Sequence, residues 1–225
     1  MCIRDSTGRA VRSIRSAHSS SNLARVSVVC KCSAPSAVVV INGSPRRGGV
    51  VSQMLGHVVA ALPQDCTVES LTVCDLRVRP CTGCMRCRSL GRCVLPEDDA
   101  HRVAGMIRAC DALVVGSPCY WGNMSGELKV LFDRMVYALM GERENGLPVA
   151  LHKGKRAVLV SACNTVWPFS VWFPQTGGVF RSLREILRWS GFRVVGTFGK
   201  GGCRKHGELT PREIGKCEKL AKRIC

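Results

Sequence analysis

Five short runs rich in β-branched residues, separated by stretches of helical period, restrict this chain to a small set of folds. The runs are 37–44 (AVVVINGS), 66–73 (CTVESLTV), 112–118 (ALVVGSP), 156–162 (RAVLVSA) and 193–198 (RVVGTF). Apolar residues at helical spacing fill 51–62, 98–109, 124–140 and 178–189, with Asp98 as cap of the second stretch. Thr210, Pro211 and Glu213 announce a last helix ending near Cys225, because they supply an N-cap hydroxyl, a first-turn proline and a reciprocal acid. Parallel strands need crossover connections, so the alternation predicts an α/β fold: a doubly wound parallel sheet of five strands with helices on both faces.

Four cysteines restrict the chemistry more tightly than any other motif. Cys81, Cys84, Cys87 and Cys93 make a C-x2-C-x2-C-x5-C run that lets four thiolates converge from one short loop. Four cysteine thiolates are what an iron-sulfur cluster needs, although the last gap and Val94 depart from the bacterial ferredoxin pattern. A structural zinc, which more often uses two separated C-x2-C knuckles, and a set of unmetallated thiols remain as alternatives.

The chain has 225 residues, enough for one sizeable domain, and residues 35–225 are read as that domain. Residues 1–34 carry many Arg and Ser and a single acid, Asp5, so they read as a disordered basic extension or a transit-like leader. Fifteen cysteines without a signal-peptide core or a long apolar run point to a reducing, cytoplasmic location, with organelle import open if the leader is real. A net charge of +17 suits phosphate-bearing ligands as well as a solvated basic surface. Aromatics are scarce and no nucleic-acid-binding pattern emerges, so neither a nucleic-acid nor a membrane role is expected.

In open α/β sheets ligands sit beyond the carboxyl ends of the strands, where strand order reverses. Three loops fall there. Asn42-Gly43-Ser44-Pro45-Arg46-Arg47-Gly48-Gly49 leads into a helix whose free N–H groups suit a phosphate, with a hydroxyl at Ser44 and a cation at Arg46. It matches neither the dinucleotide nor the Walker pattern. Gly116-Ser117-Pro118-Cys119-Tyr120-Trp121-Gly122-Asn123-Met124-Ser125 holds two aromatics in a loop of small residues, where they either await a flat ligand or pack on their own sheet. Cys163-Asn164-Thr165-Val166-Trp167-Pro168 offers a third loop on the same edge.

INGSPRRGG, PCTGCMRCRSLGRCVLPEDD and VVGSPCYWGNMSGELKVLFDRM occur in the order seen in flavodoxin-like NAD(P)H-dependent FMN oxidoreductases. The cysteine run resembles that of their iron-sulfur flavoprotein branch, and the likeness covers residues 37–198. It implies strand order 2-1-3-4-5, with FMN at the switch between the first and third strands. Ser44, Pro45, Arg46, Gly49 and Ser52 would hold the phosphate. Ser117, Pro118, Tyr120, Trp121, Gly122, Asn123, Met124 and Asn164 would border the ring system, and Cys81, Cys84, Cys87 and Cys93 would hold a [4Fe-4S] cluster. Where the family continues its first loop with Asn and a hydroxyl residue, this chain has Val50 and Val51. Ser52 is the replacement; without it, one lost charge-assisted bond weakens FMN by about 1.5–3 kcal/mol, on the order of ten- to a hundredfold.

The implied activity is NADPH- or NADH-dependent reduction through FMN, with a cluster passing electrons singly to a small-molecule or protein acceptor. A homodimer or higher homo-oligomer is expected, with 167–178 as cover or dimer surface. Hydride transfer needs no acid–base pair, so Glu97-Asp98-Asp99 is read as a helix start and His101, His152 and His206 as surface or packing residues. Two rivals remain: a flavodoxin-type carrier that does not use nicotinamide, against which the basic charge argues, and a zinc-stabilised binding module.

Overall fold

The structure, a computed structural model, describes residues 35–225 and, before them, residues 3–4 and 10–11. Of the expected leader, only the antiparallel pairing of Ile3–Arg4 with Ala10–Val11 is described, and the rest lies outside the described residues. The five expected strands form as β1 (Ala37–Asn42), β2 (Thr67–Thr72), β3 (Ala112–Pro118), β6 (Arg156–Ala162) and β7 (Arg193–Lys200). They build one all-parallel sheet in the order β2-β1-β3-β6-β7. The chain numbering differs from the expected 2-1-3-4-5 because a hairpin of β4 (Met140–Glu142) and β5 (Pro148–Ala150) intervenes before β6.

Helices cover both faces, and the apolar residues sort accordingly. Helices α1 (Val50–Ala60) and α8 (Pro211–Ile224) bury Met54, Val58, Cys217 and Leu220 against Val38, Val40, Val114 and Val158 on one face. Helices α3 (Asp99–Ala109), α4 (Gly126–Arg134), α5 (Val136–Leu139) and α7 (Thr176–Ser190) bury Ile107, Leu131, Phe132 and Leu183 against Ile41, Leu113 and Leu159 on the other. Short helices α2 (Arg86–Leu90) and α6 (Phe169–Trp172) lie in the cysteine loop and the aromatic segment.

One helix departs from the expectation, and two histidines take packing roles in line with it. The helix expected over 124–140 starts only at Gly126 and breaks at Met135 into α4 and α5, after which the chain extends into the hairpin. At α3, Asp98 accepts from the Ala100 amide while His101 reaches back to the Asp98 amide, so an imidazole takes the place usually held by Glu in a capping box. His152 is buried and stacked on Phe192, with Nε2 on the Ala138 carbonyl, and burial pushes its pKa down. At α8 the Thr210–Glu213 box forms as expected, and Glu213 also pairs with the buried Lys200 at 2.8 Å.

Candidate functional site

The strand-order reversal lies between β1 and β3, and the chain there is drawn tight. The Gly43 amide donates to the Gly116 carbonyl at 2.7 Å, and a Cβ on Gly43 would meet Leu128 at 2.9 Å. Ser125, buried at the start of α4, donates from Oγ to the Gly43 carbonyl and from its amide to Ser117 Oγ. These bonds fix the root of the loops after β1 and β3 to one another.

A cavity of about 290 Å³ opens at this edge, lined by the first loop, the β3 end and the β6 end. Of the expected residues it gathers Ser44, Arg46, Gly49, Pro118, Tyr120 and Asn164. Its size is near the lower end for small-molecule sites. A larger cavity of about 430 Å³ lies between the hairpin and the last turns of α4 and α7. Its Lys129–Asp133 and Trp189–Glu185 pairs satisfy one another, so it offers few polar groups free to orient a ligand.

The first loop can receive an anion. Helix α1 has Gly49 at its N-cap with no side-chain hydrogen bond, which leaves the first-turn amides free at the positive end of the helix dipole. Ser44 is buried with its Oγ accepting from the Arg46 amide, and the Arg46 side chain is exposed. Ser52 behaves differently from the expectation. Its Oγ donates to the Arg46 carbonyl and accepts from Asn42 Nδ2, both at 2.9 Å, so the hydroxyl braces the loop. Val50 and Val51 are buried in the α1-side core, and Val51 fills the space from which Gly116 omits a side chain.

The second loop closes as a tight turn. Tyr120 and Asn123 exchange both backbone hydrogen bonds at 2.9 Å, and Trp121 (φ 52°) and Gly122 (φ 73°) both occupy the left-handed region. That is the geometry of a type I′ turn, and tryptophan is a costly occupant. The indole of Trp121 is fully exposed. Pro45, Ser52, Ser117, Trp121, Gly122, Asn123 and Met124 do not line the cavity. Ser117 is buried in its bonds to Ser125 and the Pro118 carbonyl, and Met124 is buried in the core. Sequence reading missed Cys119, Cys163 and Cys203, which do line it; burial pushes the Cys203 thiol up to about 11.

The cysteine run occupies the loop between β2 and α3. Gly83, Met85 and Gly91 take left-handed turns there, Cys81 and Cys84 are exposed, and Cys87 and Cys93 pack against the core. Burial and then the thiols of Cys93, Cys81 and Cys84 push the Cys87 pKa up. Among the described residues no three donors sit close enough to share one metal ion. A four-iron cluster holds its thiolates on separate irons and needs wider spacing than a single tetrahedral ion. Cys93 lies beside the guanidinium of buried Arg134, whose Nε has no hydrogen-bond acceptor. The donor chemistry, together with a buried cation lacking an anion on one side, fits an anionic thiolate-bound group.

The family model of NADPH-dependent FMN reductase matches residues 36–198. The chain belongs to the NADPH-dependent FMN reductase family. It is 34% identical over 97 residues to an iron-sulfur flavoprotein of Methanosarcina thermophila, covering 43% of this chain and 50% of that one. An iron-sulfur flavoprotein of Methanocaldococcus jannaschii is 32% identical over 98 residues, with the same shares of each chain. The chain thus spans about half the length of the curated relatives it matches. An FMN-dependent NADH-azoreductase of Bacillus anthracis, solved with FMN, superposes with a TM-score of 0.61 at 17% identity over 84% of this chain and 98% of that one. An apo NADH:FMN oxidoreductase gives 0.59 at 19% identity, over 84% and 87%. These likenesses give the family a flavodoxin-like fold here. No helix among the described residues is long and apolar enough to cross a membrane.

Proposed function

We propose that the chain is an FMN-binding, NAD(P)H-dependent oxidoreductase carrying a [4Fe-4S] cluster on Cys81, Cys84, Cys87 and Cys93. The observation that carries the flavin reading is the cavity at the β1–β3 switch, where the uncapped start of α1, Ser44 and Arg46 meet the Tyr120 turn. FMN, when bound, supplies the hydride chemistry between a reduced nicotinamide and an acceptor, and a cluster supplies one-electron transfer.

The chain's own groups bind and orient. The α1 amides and Ser44 hold the phosphate, and Arg46 balances its charge. Pro118, Tyr120 and Asn164 border the ring system, while Ser52, Ser117, Ser125 and Gly43 keep the loops in place. Pro45, Gly49, Gly122, Asn123 and Met124 shape those loops, and Trp121, exposed and outside the cavity lining, covers a planar ligand that extends past the Tyr120 turn. The acceptor is a small molecule or a protein, and a second copy of the chain covers the exposed rings of Trp167, Phe169, Trp172 and Phe173. A reducing cytoplasm suits the free thiols.

Anaerobic purification, visible spectroscopy and metal analysis test the proposal. A flavin spectrum bleached by NADPH or NADH is expected, with about four irons per chain as in one cubane cluster. A flavin spectrum that neither nucleotide bleaches would favour the carrier, and colourless protein holding zinc would favour the binding module. Refolded protein that ignores FMN in a titration removes the enzyme reading. The cluster assignment has its own test: replacing Cys84 and Cys87 with serine should abolish bound iron while FMN still binds. Unchanged iron content in that variant ends the assignment.

A further inference from the structure

Neither the phosphate loop nor the cysteine run accounts for two thiols at the edge of the cavity, Cys119 and Cys163. Each is the first residue after its strand. Strands β3 and β6 are parallel and adjacent, without register shifts, and end with Pro118 directly opposite Ala162. The Cys119 amide continues the ladder to the Ala162 carbonyl at 2.9 Å, which carries the register one step further and sets Cys119 opposite Cys163. Side chains alternate faces along a strand, so both thiols share the face of Leu113, Val115, Ala157 and Leu159, the face covered by α7. Neighbouring strands run about 4.7–4.9 Å apart, inside the Cα separation of about 4.4–6.8 Å that a disulfide spans. Cys203, the third thiol on the cavity, packs with the α8-side core and is not part of the pair.

The surroundings of the pair suit sulfur chemistry. Cys119 Sγ donates to Gln175 Oε1 at 3.6 Å. Cys163 Sγ donates to the Thr165 carbonyl at 3.7 Å, and the amide of Thr176, the first residue of α7, whose N-terminus has no side-chain cap, favours its thiolate. Amides at a helix start favour a thiolate. Burial is the larger influence and holds both thiols above their ordinary pKa.

We propose that Cys119 and Cys163 form a redox-active dithiol that closes reversibly to a disulfide by exchange with a small disulfide such as oxidised glutathione. Half-buried Cys119 attacks first: its sulfur bonds to one glutathione sulfur, the S–S bond of the oxidised glutathione breaks, and the other glutathione leaves with the Cys119 proton. Buried Cys163 then displaces the attached glutathione, which leaves with the second proton. Two thiols and one glutathione disulfide become one protein disulfide and two glutathione thiols. The bond joins the β3 and β6 ends at the root of the Tyr120 turn.

The test uses full-length protein equilibrated anaerobically over a series of glutathione thiol-to-disulfide ratios, acid-quenched, alkylated and digested with trypsin. Cleavage after Arg108, Lys129, Arg156 and Arg181 leaves Cys119 on the 109–129 peptide, which also carries Cys110, and Cys163 alone on 157–181. Mass spectrometry should find the two peptides joined, with two hydrogens lost, at the oxidising end of the series and separate at the reducing end. The joined species should vanish in Cys119→Ser and in Cys163→Ser and persist in Cys110→Ser. Absence of joined peptide at every ratio, or its loss in Cys110→Ser, overturns the proposal. The readout does not depend on FMN, so a failed flavin titration on the same protein leaves this result standing on its own.

Discussion

Arg134→Leu should lower the free energy of unfolding by about 3–5 kcal/mol, because removing one partner of a buried ion pair leaves the other charge uncompensated. The Arg134 side chain is fully buried on α4 and sends Nη1 to Asp98 Oδ2 at 2.8 Å and Nη2 to Oδ1 at 3.3 Å. Nη1 also donates to the Arg79 carbonyl, so one guanidinium fastens the cysteine loop at Arg79 and again at Asp98, where α3 begins. Burial alone would raise the Asp98 pKa, but the Arg79 amide and the Arg134 guanidinium outweigh it and hold the carboxyl below its usual range. A carboxyl depressed by folding contributes stability above its unfolded pKa of about 3.9, and that contribution fades as pH falls through the folded value. The gap between Arg134→Leu and the wild-type chain should therefore be widest near neutral pH and close in acid. Denaturant unfolding at pH 7 and at pH 3 measures both parts, and a neutral-pH loss below about 1 kcal/mol, the range of an exposed pair, would refute it. The same variant should take up less iron on reconstitution, since Cys93 loses the cation beside it.

Arg134 also marks where sequence reading stops. The strands are legible because their apolar runs are local: Val38–Ile41, Ala112–Val115 and Ala157–Val160 are buried throughout, as continuous runs in a two-face-covered sheet must be. The caps at Asp98 and Thr210 are legible for the same reason, since each needs only residues within one turn. An arginine near the end of an amphipathic helix reads as solvated surface. Its burial comes from the loop over 79–98 folding back onto α4, a contact between segments 36 or more residues apart. The Cys119–Cys163 opposition depends in the same way on the register of β3 against β6. The hairpin Met140–Ala150 escaped because two three-residue strands are too short to show a period. Ser52 and Ser117 were right in residue type for a phosphate or ring contact, yet their hydroxyls are engaged by backbone groups that only the folded loops bring near.

A single methyl group should disrupt the flavin cavity from behind. Gly178, on the first turns of α7, sits so close to the Tyr120 turn that a Cβ built there would lie 1.8 Å from the Gly122 carbonyl oxygen. No rotamer relieves a clash between a Cβ and backbone, so in Gly178→Ala either α7 or the turn must move by more than an ångström. The core residues Val179, Phe180 and Leu183 anchor α7, whereas the turn carries exposed Trp121 at a left-handed φ, so the turn is the part that gives. Tyr120 moves with it and opens the cavity edge. FMN affinity should fall about tenfold or more, equivalent to about 1.4 kcal/mol, with a stability loss of about 1–3 kcal/mol from overpacking. Gly177→Ala is the matched control, because a Cβ at that position meets nothing within 4 Å. It should bind FMN as the wild-type chain does and gain a few tenths of a kcal/mol, up to about 1, in helix propensity. Flavin fluorescence titrations of the three proteins decide the matter: equal affinity in Gly178→Ala and Gly177→Ala would mean that the Tyr120 turn does not shape the flavin site.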